Sequence, residues 1–290
     1  MVHMLSSGSN KSIPWAQIQR YRFIEWLFLW ERRLNISTLM EVFTVSRPVA
    51  SKDLNSYIKL HPKNVSAYHK SEKCYKPTSM FKPYYTSEDP DEYYSILAQV
   101  GKSYTGIKDT TLWSAPAIKR RIVPGVVSGI LNAIQQQDAV EITYCSASSV
   151  AGQKRIIHPH RIVNASGRYH IRAYCEERKE YRDFNLSRIL KDVRYVKKSI
   201  RQVIDDKQWI DKIDLIIGVN PQLTGEAAEL ISNEFGIEGE LVIKTNAALI
   251  NYLLIDNNIP SSITEEKNAS PWQYPLVIAN RHEVSEYLWS

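Results

Sequence analysis

Three cysteines in 290 residues, Cys74, Cys145 and Cys175, are too few, too far apart and odd in number to build a disulfide framework. The pattern fits a reducing compartment, so a cytoplasmic location is expected. The chain also lacks a Cys-x-x-Cys pair and a His-Glu-x-x-His run. His158, His160 and His170 stand near two of the cysteines, but without ligand spacing no metal and no cofactor is expected. The thiols then read as small buried groups. Long apolar runs are missing too. The most apolar stretch, Phe23 to Trp30, is broken by Glu25 and falls well short of the ~18 residues of a membrane span. Met1 to Ser12 is rich in Ser, Gly and Asn, has no signal-peptide apolar core, and is expected to be disordered.

What the chain does have is segregated charge. Residues 1–85 hold 13 Lys/Arg against 5 Asp/Glu, and residues 86–140 hold 5 against 6. Residues 141–200 hold 13 against 6, and residues 201–290 hold 6 against 14. The blocks therefore carry +8, −1, +7 and −8 within a net charge of +6. Two basic blocks point to two anion-facing regions, and the acidic block to a part with another task. The length allows two or three domains, each with its own core.

In the first block, Ile18, Tyr21, Ile24, Leu27 and Phe28 fall at helical spacing, which predicts a helix over Pro14 to Arg33 with Ser12 as a cap. Asn35 would cap a second helix, Ile36 to Phe43, and Thr44-Val45 would turn the chain. Ser46 would cap a third helix running to about Leu60 and ended at His61-Pro62. Val49, Leu54, Tyr57 and Ile58 are expected inward, and Arg47, Ser51, Lys52 and Asn55 outward. Val65 to Tyr68 and Lys73 to Pro77 read as strands joined by a basic turn. This is a winged helix-turn-helix pattern over residues 13–85. Arg47, Ser51, Lys52 and Asn55 are the candidates for reading base edges, and Ser46, Lys70 and Lys73 for holding phosphates. A basic helical module for binding protein is the alternative.

Phe81 to Pro90 reads as a linker, Asp91 to Val100 as a short helix, Gly101 to Pro116 as a loop, and Val123 to Gln137 as a helix. Residues 86–137 thus form a helical connector. The second basic block is mainly strand: Val140 to Ser146, a turn over Ser148 to Gln153, Lys154 to Val163, then runs at 168–175 and 181–189. Strand alternation puts Tyr169, Ile171 and Ala173 on one face and Arg168, His170 and Arg172 on the other. A face of Arg and His without a neighbouring nucleophile or carboxylate pair suits holding an anion better than breaking a bond.

Three runs, Arg155-Ile-Ile-His-Pro-His160, Gly167-Arg-Tyr-His-Ile-Arg-Ala-Tyr174 and Arg182-Asp-Phe-Asn-Leu-Ser-Arg-Ile189, resemble the WYL-domain family in order and spacing. The tripeptide that gives the family its name would fall on Tyr169-His170-Ile171, where all three residues differ. Val45 to Tyr57 and Lys73 to Pro77 resemble a narrower group, the BrxR/CapW-type regulators of bacterial anti-phage defence systems. The resemblance implies an α+β chain: an N-terminal winged helix-turn-helix, a central Sm-like WYL β-barrel over 138–200, and a C-terminal α+β dimerisation domain over 201–290. It further implies a homodimeric, non-enzymatic transcription factor that binds double-stranded DNA carrying an inverted-repeat operator and responds to an anionic nucleotide or oligonucleotide. Carried onto this chain, the pocket candidates are Tyr144, Ser146, His160, His170, Arg172, Arg182 and Arg188. For Arg182 and Arg188 the alternative is a structural pairing with Asp183, Glu141 or the linker.

The acidic last block reads as a strand over Lys207 to Ile217, a helix over Thr224 to Phe235, a strand over Gly239 to Thr245, a helix over Ala247 to Leu254 and a strand over Pro271 to Asn280. Two other functions stay open on the residues alone. One is a nucleic-acid-processing enzyme, which would need metal-holding carboxylates or a base where the Arg/His strands offer only Asp183. The other is a single-strand binder stacking bases on Tyr169, Tyr174 and Tyr181.

Overall fold

The computed structural model describes residues 13–100, 118–190 and 193–289. The expectations for Met1 to Ser12, including the Ser12 cap, and for the loop over 101–116 lie outside the described residues. The chain divides into two units, Met1–Pro116 and Ala117–Ser290.

In the first unit, α1 (Trp15–Trp26) continues into a single π turn, Leu27–Glu31, and stops at Arg32 with φ 59°. From Phe23 to Phe28 every side chain is buried, because neighbouring segments enclose this helix end on all sides. α2 (Ile36–Phe43) ends at left-handed Thr44, and α3 (Arg47–Leu60) follows with Pro48 in its first turn. Asn35 and Ser46 do occupy the N-cap positions, but neither side chain makes the expected capping hydrogen bond. The buried stripe of α3 is Ala50, Asp53, Leu54 and Tyr57. Val49 was expected inward and is instead 40% exposed, because it sits just outside this stripe.

The wing forms as narrow backbone ladders, Val65 against Pro77 and His69 against Cys74, with Lys73 left-handed in the turn. Leu34 adds an unanticipated third rung, exchanging backbone hydrogen bonds with Tyr75 at 2.8 Å each way. The stretch after Phe81 is not the free linker expected. Its Tyr84, Tyr85 and Thr86 amides donate to the buried Glu25 carboxylate, with contacts at 2.9, 2.6 and 3.2 Å to Oε2. α4 (Pro90–Val100) then brings Tyr93 against Trp26 and Trp30.

The second unit opens with α5 (Pro124–Gln136), which lays Val126, Ile130 and Ala133 into a core with Ile142, Ile157, Ile171 and Phe184. The strands are β1 (Asp138–Ser146), β2 (Ser149–Ala165), β3 (Arg168–Cys175), β4 (Glu180–Asn185) and β5 (Arg194–Lys198), in the antiparallel order β4-β3-β2-β1-β5. The wide turn expected over Ser148 to Gln153 is absent: Ser146 pairs with Ser149, and Gly152 is absorbed into β2 by its φ of +89°. The β2–β3 turn is Ser166-Gly167, both with positive φ, as a two-residue hairpin requires. After β4, a 3₁₀ turn at Leu186–Arg188 returns the chain to β1, where Ile189 bridges Tyr144 and the Leu190 amide donates to the Thr143 carbonyl at 3.0 Å. This return folds the sheet back on itself.

A short helix, α6 (Lys207–Ile210), replaces the start of the strand expected from Lys207. β6 (Lys212–Val219), α7 (Glu226–Phe235), β7 (Leu241–Asn246), α8 (Ile250–Asp256), α9 (Ile263–Asn268), β8 (Leu276–Ile278) and α10 (Arg281–Val284) complete the chain. Their sheet order is β7-β6-β8. The strand expected over Pro271 to Asn280 shrinks to β8, and α9 and α10 were not anticipated.

Candidate DNA-reading face and sensor sheet

α3 is held from behind and bare in front. Asp53 on its buried side accepts from Arg20 at 2.5 Å and Gln17 at 2.7 Å, and Tyr57 donates to Glu25 at 3.0 Å. On its other side Arg47, Lys52 and Asn55 are exposed and Ser51 is half-buried. The spacing 47, 51, 55 keeps three of them on one stripe, with Lys52 beside it. Ser46 is exposed at the helix start, and Lys70 and Lys73 are exposed at the wing turn. Among the described residues no carboxylate pairs with Arg47, Lys52, Lys70 or Lys73, whereas Lys76 at the wing's base pairs with Glu72. The result is a cationic stripe on a braced helix, flanked by cations on a hairpin.

The five-stranded sheet behaves differently from its sequence-based picture, because much of its cationic face is answered by the protein's own carboxylates. Arg172 is buried and forks onto Asp206, Nε to Oδ2 at 2.7 Å and Nη2 to Oδ1 at 3.0 Å. It also donates to Gln208 at 3.1 Å and lies 3.5 Å from Asp183, its register partner across β3 and β4. His160, at a β2 bulge, places Nε2 3.0 Å from the same Asp206 oxygen. Burial by itself would raise the Asp206 carboxyl, but the hydrogen bonds from His160 and Arg172 prevail and hold it down at about 2. His158 is similarly engaged, with Ser199 at 2.8 Å and Glu176 at 3.0 Å.

His170 is the exception. It is 7% exposed, and its Nε2 meets no hydrogen-bond partner among the described residues. Burial pushes its imidazole below the usual range. The charges of Arg168, Arg188 and Arg120 act in the same direction, and Asp183 acts against them. Its ring lies 4.8 Å from that of Tyr252 on α8, whose hydroxyl donates to Asp183 at 2.9 Å. Arg188 is exposed at the end of the 3₁₀ turn, and the buried Nε of Arg168 also lacks a partner among the described residues.

The other pocket candidates are dispersed. Arg182 pairs in register with Ala173 and so falls on the opposite face from Arg172, 3.4 Å from Glu180. Ser146 sits in the β1–β2 turn beside Ser148 at 3.1 Å. Tyr144 is buried, and its hydroxyl accepts from the Asn185 amide at 3.1 Å. Of the proposed stacking tyrosines, Tyr174 and Tyr181 pack on each other and only Tyr169 is exposed. Asp206, Tyr252, Arg120 and Arg168 stand beside these candidates and were not among those drawn from the sequence. Arg168 alone had a signal, since alternation already put it on the face of His170.

A braced helix with a bare cationic stripe, a hairpin wing and a strand-built sheet in the second unit define a winged-helix transcriptional regulator with a further strand-built domain. The family models agree: the BrxR transcriptional regulator winged helix-turn-helix domain matches residues 16–99, the WYL domain 125–194, and the BrxR transcriptional regulator C-terminal dimerization domain 212–284. Proteins named DNA-binding transcriptional repressor CapW are similar along nearly the whole chain. The Escherichia coli (strain KTE188) protein is 33% identical, covering 96% of this chain and 94% of its own. The Pseudomonas aeruginosa protein is 30% identical over 98% and 95%, and the Stenotrophomonas maltophilia protein 27% over 98% and 96%. Among solved structures, proteasome accessory factor B/C (PafBC) of Arthrobacter aurescens aligns at 14% identity and a TM-score of 0.25, covering 93% of this chain and 47% of that one. The chain belongs to the CapW family of BrxR-type transcriptional regulators.

Proposed function

We propose that the protein is a homodimeric repressor of a phage-defence operon, its own promoter included, which releases an inverted-repeat operator when an anionic nucleotide or nucleic-acid ligand occupies the WYL domain. The observation that carries the reading is the α3 stripe of Arg47, Ser51, Lys52 and Asn55, in which Arg47, Lys52 and Asn55 are exposed and neither cation meets a carboxylate among the described residues. A major groove offers such a stripe base edges, while Ser46, Lys70 and Lys73 reach phosphates on either side. Two copies joined through the C-terminal domain would read two half-sites, which makes the operator palindromic. The names of the CapW relatives support repression as the output.

The ligand groups in this reading are His170 and Arg188, with Arg168 and Arg120 beside them: an unpartnered imidazole under three guanidinium charges. Tyr144 fixes the Asn185 backbone opposite His170, and His160 and Arg172 act through Asp206. Relief requires the ligand to bind the DNA-free form more tightly than the DNA-bound form. The protein acts by binding and not by catalysis.

The test is anisotropy titration with duplexes from the gene's own neighbourhood, alongside mapping of bound sites in the native host. A salt-sensitive preference for one inverted repeat is expected. Equal affinity for all duplexes, or tighter binding of single strands, would overturn the reader assignment, and divalent-metal-dependent cleavage would overturn the non-enzymatic one.

A further inference from the structure

Asp206 belongs to neither flanking module, since the WYL match ends at residue 194 and the dimerisation match begins at 212. It lies on the connector between them, only 1% exposed, set into the cationic face of the sheet. Both of its oxygens are engaged twice: Oδ2 by Arg172 at 2.7 Å and His160 at 3.0 Å, and Oδ1 by Arg172 at 3.0 Å and the Trp209 amide at 3.3 Å. The far end of the connector is fastened to the C-terminal domain. The Trp209 carbonyl accepts from Asn246 Nδ2, and the Asp211 carbonyl accepts from the Ala247 amide at 3.0 Å.

Arg172 has a second carboxylate within reach. Asp183 stands 3.5 Å from its Nη1, farther than either Asp206 contact, and also accepts from Tyr252, whose ring lies against His170. A guanidinium held between two carboxylates divides its contacts between them, and in a buried site that division responds strongly to a nearby charge. A negative charge arriving at His170 adds to the Asp183 side of that balance.

We infer that Arg172 reports occupancy of the WYL site to the dimerisation domain, holding Asp206 and its connector on the sheet when the site is empty and shifting toward Asp183 when an anion sits at His170. The inference rests on the ligand reading given above. Arg172 is here a positioning residue that touches no ligand. The route is one continuous set of contacts: His170, Tyr252 of α8, Asp183, Arg172, Asp206, then α6, Asn246 at the end of β7 and Ala247 after it.

The experiment uses the full-length dimer. Asp206→Asn keeps the shape and the cap acceptor while removing the charge that holds Arg172. Operator affinity without effector should fall about tenfold, and affinity for a short single-stranded oligothymidylate should rise about fivefold, as reciprocal linkage requires. Amides of residues 203–210 should exchange hydrogen faster while the dimer mass is unchanged. Gln208→Ala removes a weaker contact to Arg172 and should move both affinities in the same direction by less. It serves as the deciding variant if Asp206→Asn yields no folded dimer. A folded variant with wild-type affinity for both operator and oligothymidylate would overturn the inference. If oligothymidylate fails to bind wild-type protein, the ligand reading fails and the reporting role falls with it, while weakened operator binding with faster exchange would show that Asp206 holds the connector. If oligothymidylate releases wild type and Asp206→Asn from the operator at the same concentration, the ligand reading stands and the reporting role falls.

Discussion

Tyr57 of α3 donates its hydroxyl to the Glu25 carboxylate at 3.0 Å, and the same carboxylate receives the Tyr84, Tyr85 and Thr86 amides of the strap that leaves the domain. One buried group thus ties the orientation of α3 to the chain leading out. Glu25→Ala should cost about 2–4 kcal/mol, because four donors lose their acceptor in a dry site. Denaturant unfolding of the variant checks this. Tyr57→Phe should cost about 1 kcal/mol.

The same carboxylate sets a pH dependence. Burial raises the Glu25 carboxyl above its ordinary value against the pull of its four donors. The folded state therefore binds this proton more readily than the unfolded chain, and stability from this group falls as pH rises from the ordinary carboxylate range through the folded pKa. Glu25→Gln should flatten that part of the stability profile, measured as Tm against pH; an unchanged profile would contradict the assignment.

Asp206 has the opposite sign. Its carboxyl is held at about 2, below the ordinary value of 3.8, so its stabilisation is complete above that ordinary value and disappears as pH falls toward the folded one. The contribution is about 2 kcal/mol. Asp206→Asn should remove the part of the acid-unfolding limb that belongs to the second unit.

On the reading face, Arg47→Ala or Lys52→Ala should each weaken specific operator binding by about 1–3 kcal/mol without changing the fold, since both side chains are exposed. Lys70→Ala or Lys73→Ala should weaken all duplexes alike and reduce the salt slope by about 1. Anisotropy titrations across a salt series separate the two classes. Arg188→Ala should leave operator affinity intact and abolish relief in vivo.

Gly152→Ala tests the hairpin. At φ +89° an added Cβ would meet Leu190 Cδ1 and Thr143 Cγ2 at 3.1 Å each. A loss of about 1–3 kcal/mol is expected by thermal unfolding.

The first three helices were legible because their apolar spacing and turn residues are local signals, and so were the strands around Gly167. Val49 was misplaced because two neighbouring stripes satisfy the same spacing, and only the enclosing segments choose between them. Phe81 to Pro90 looked like a linker because proline and acidic residues mark loops, while the carboxylate that grips it lies about sixty positions earlier in the chain. The pocket candidates read from the sequence are not gathered in one place. Strand register sends Arg182 and Arg172 to opposite faces.

By itself, the amino-acid order determined that this chain carries a winged helix-turn-helix, a basic strand-built domain and an acidic block of mixed helix and strand, because periodicity, turn chemistry and charge are properties of neighbours in sequence. Only the tertiary structure decided which of the basic groups stay free. Arg172 finds its counter-charge 34 residues away on Asp206, and Nε2 of His170 finds no hydrogen-bond partner among the described residues. Counter-charges pair through space, and no local pattern records which distant carboxylate will be buried beside which guanidinium.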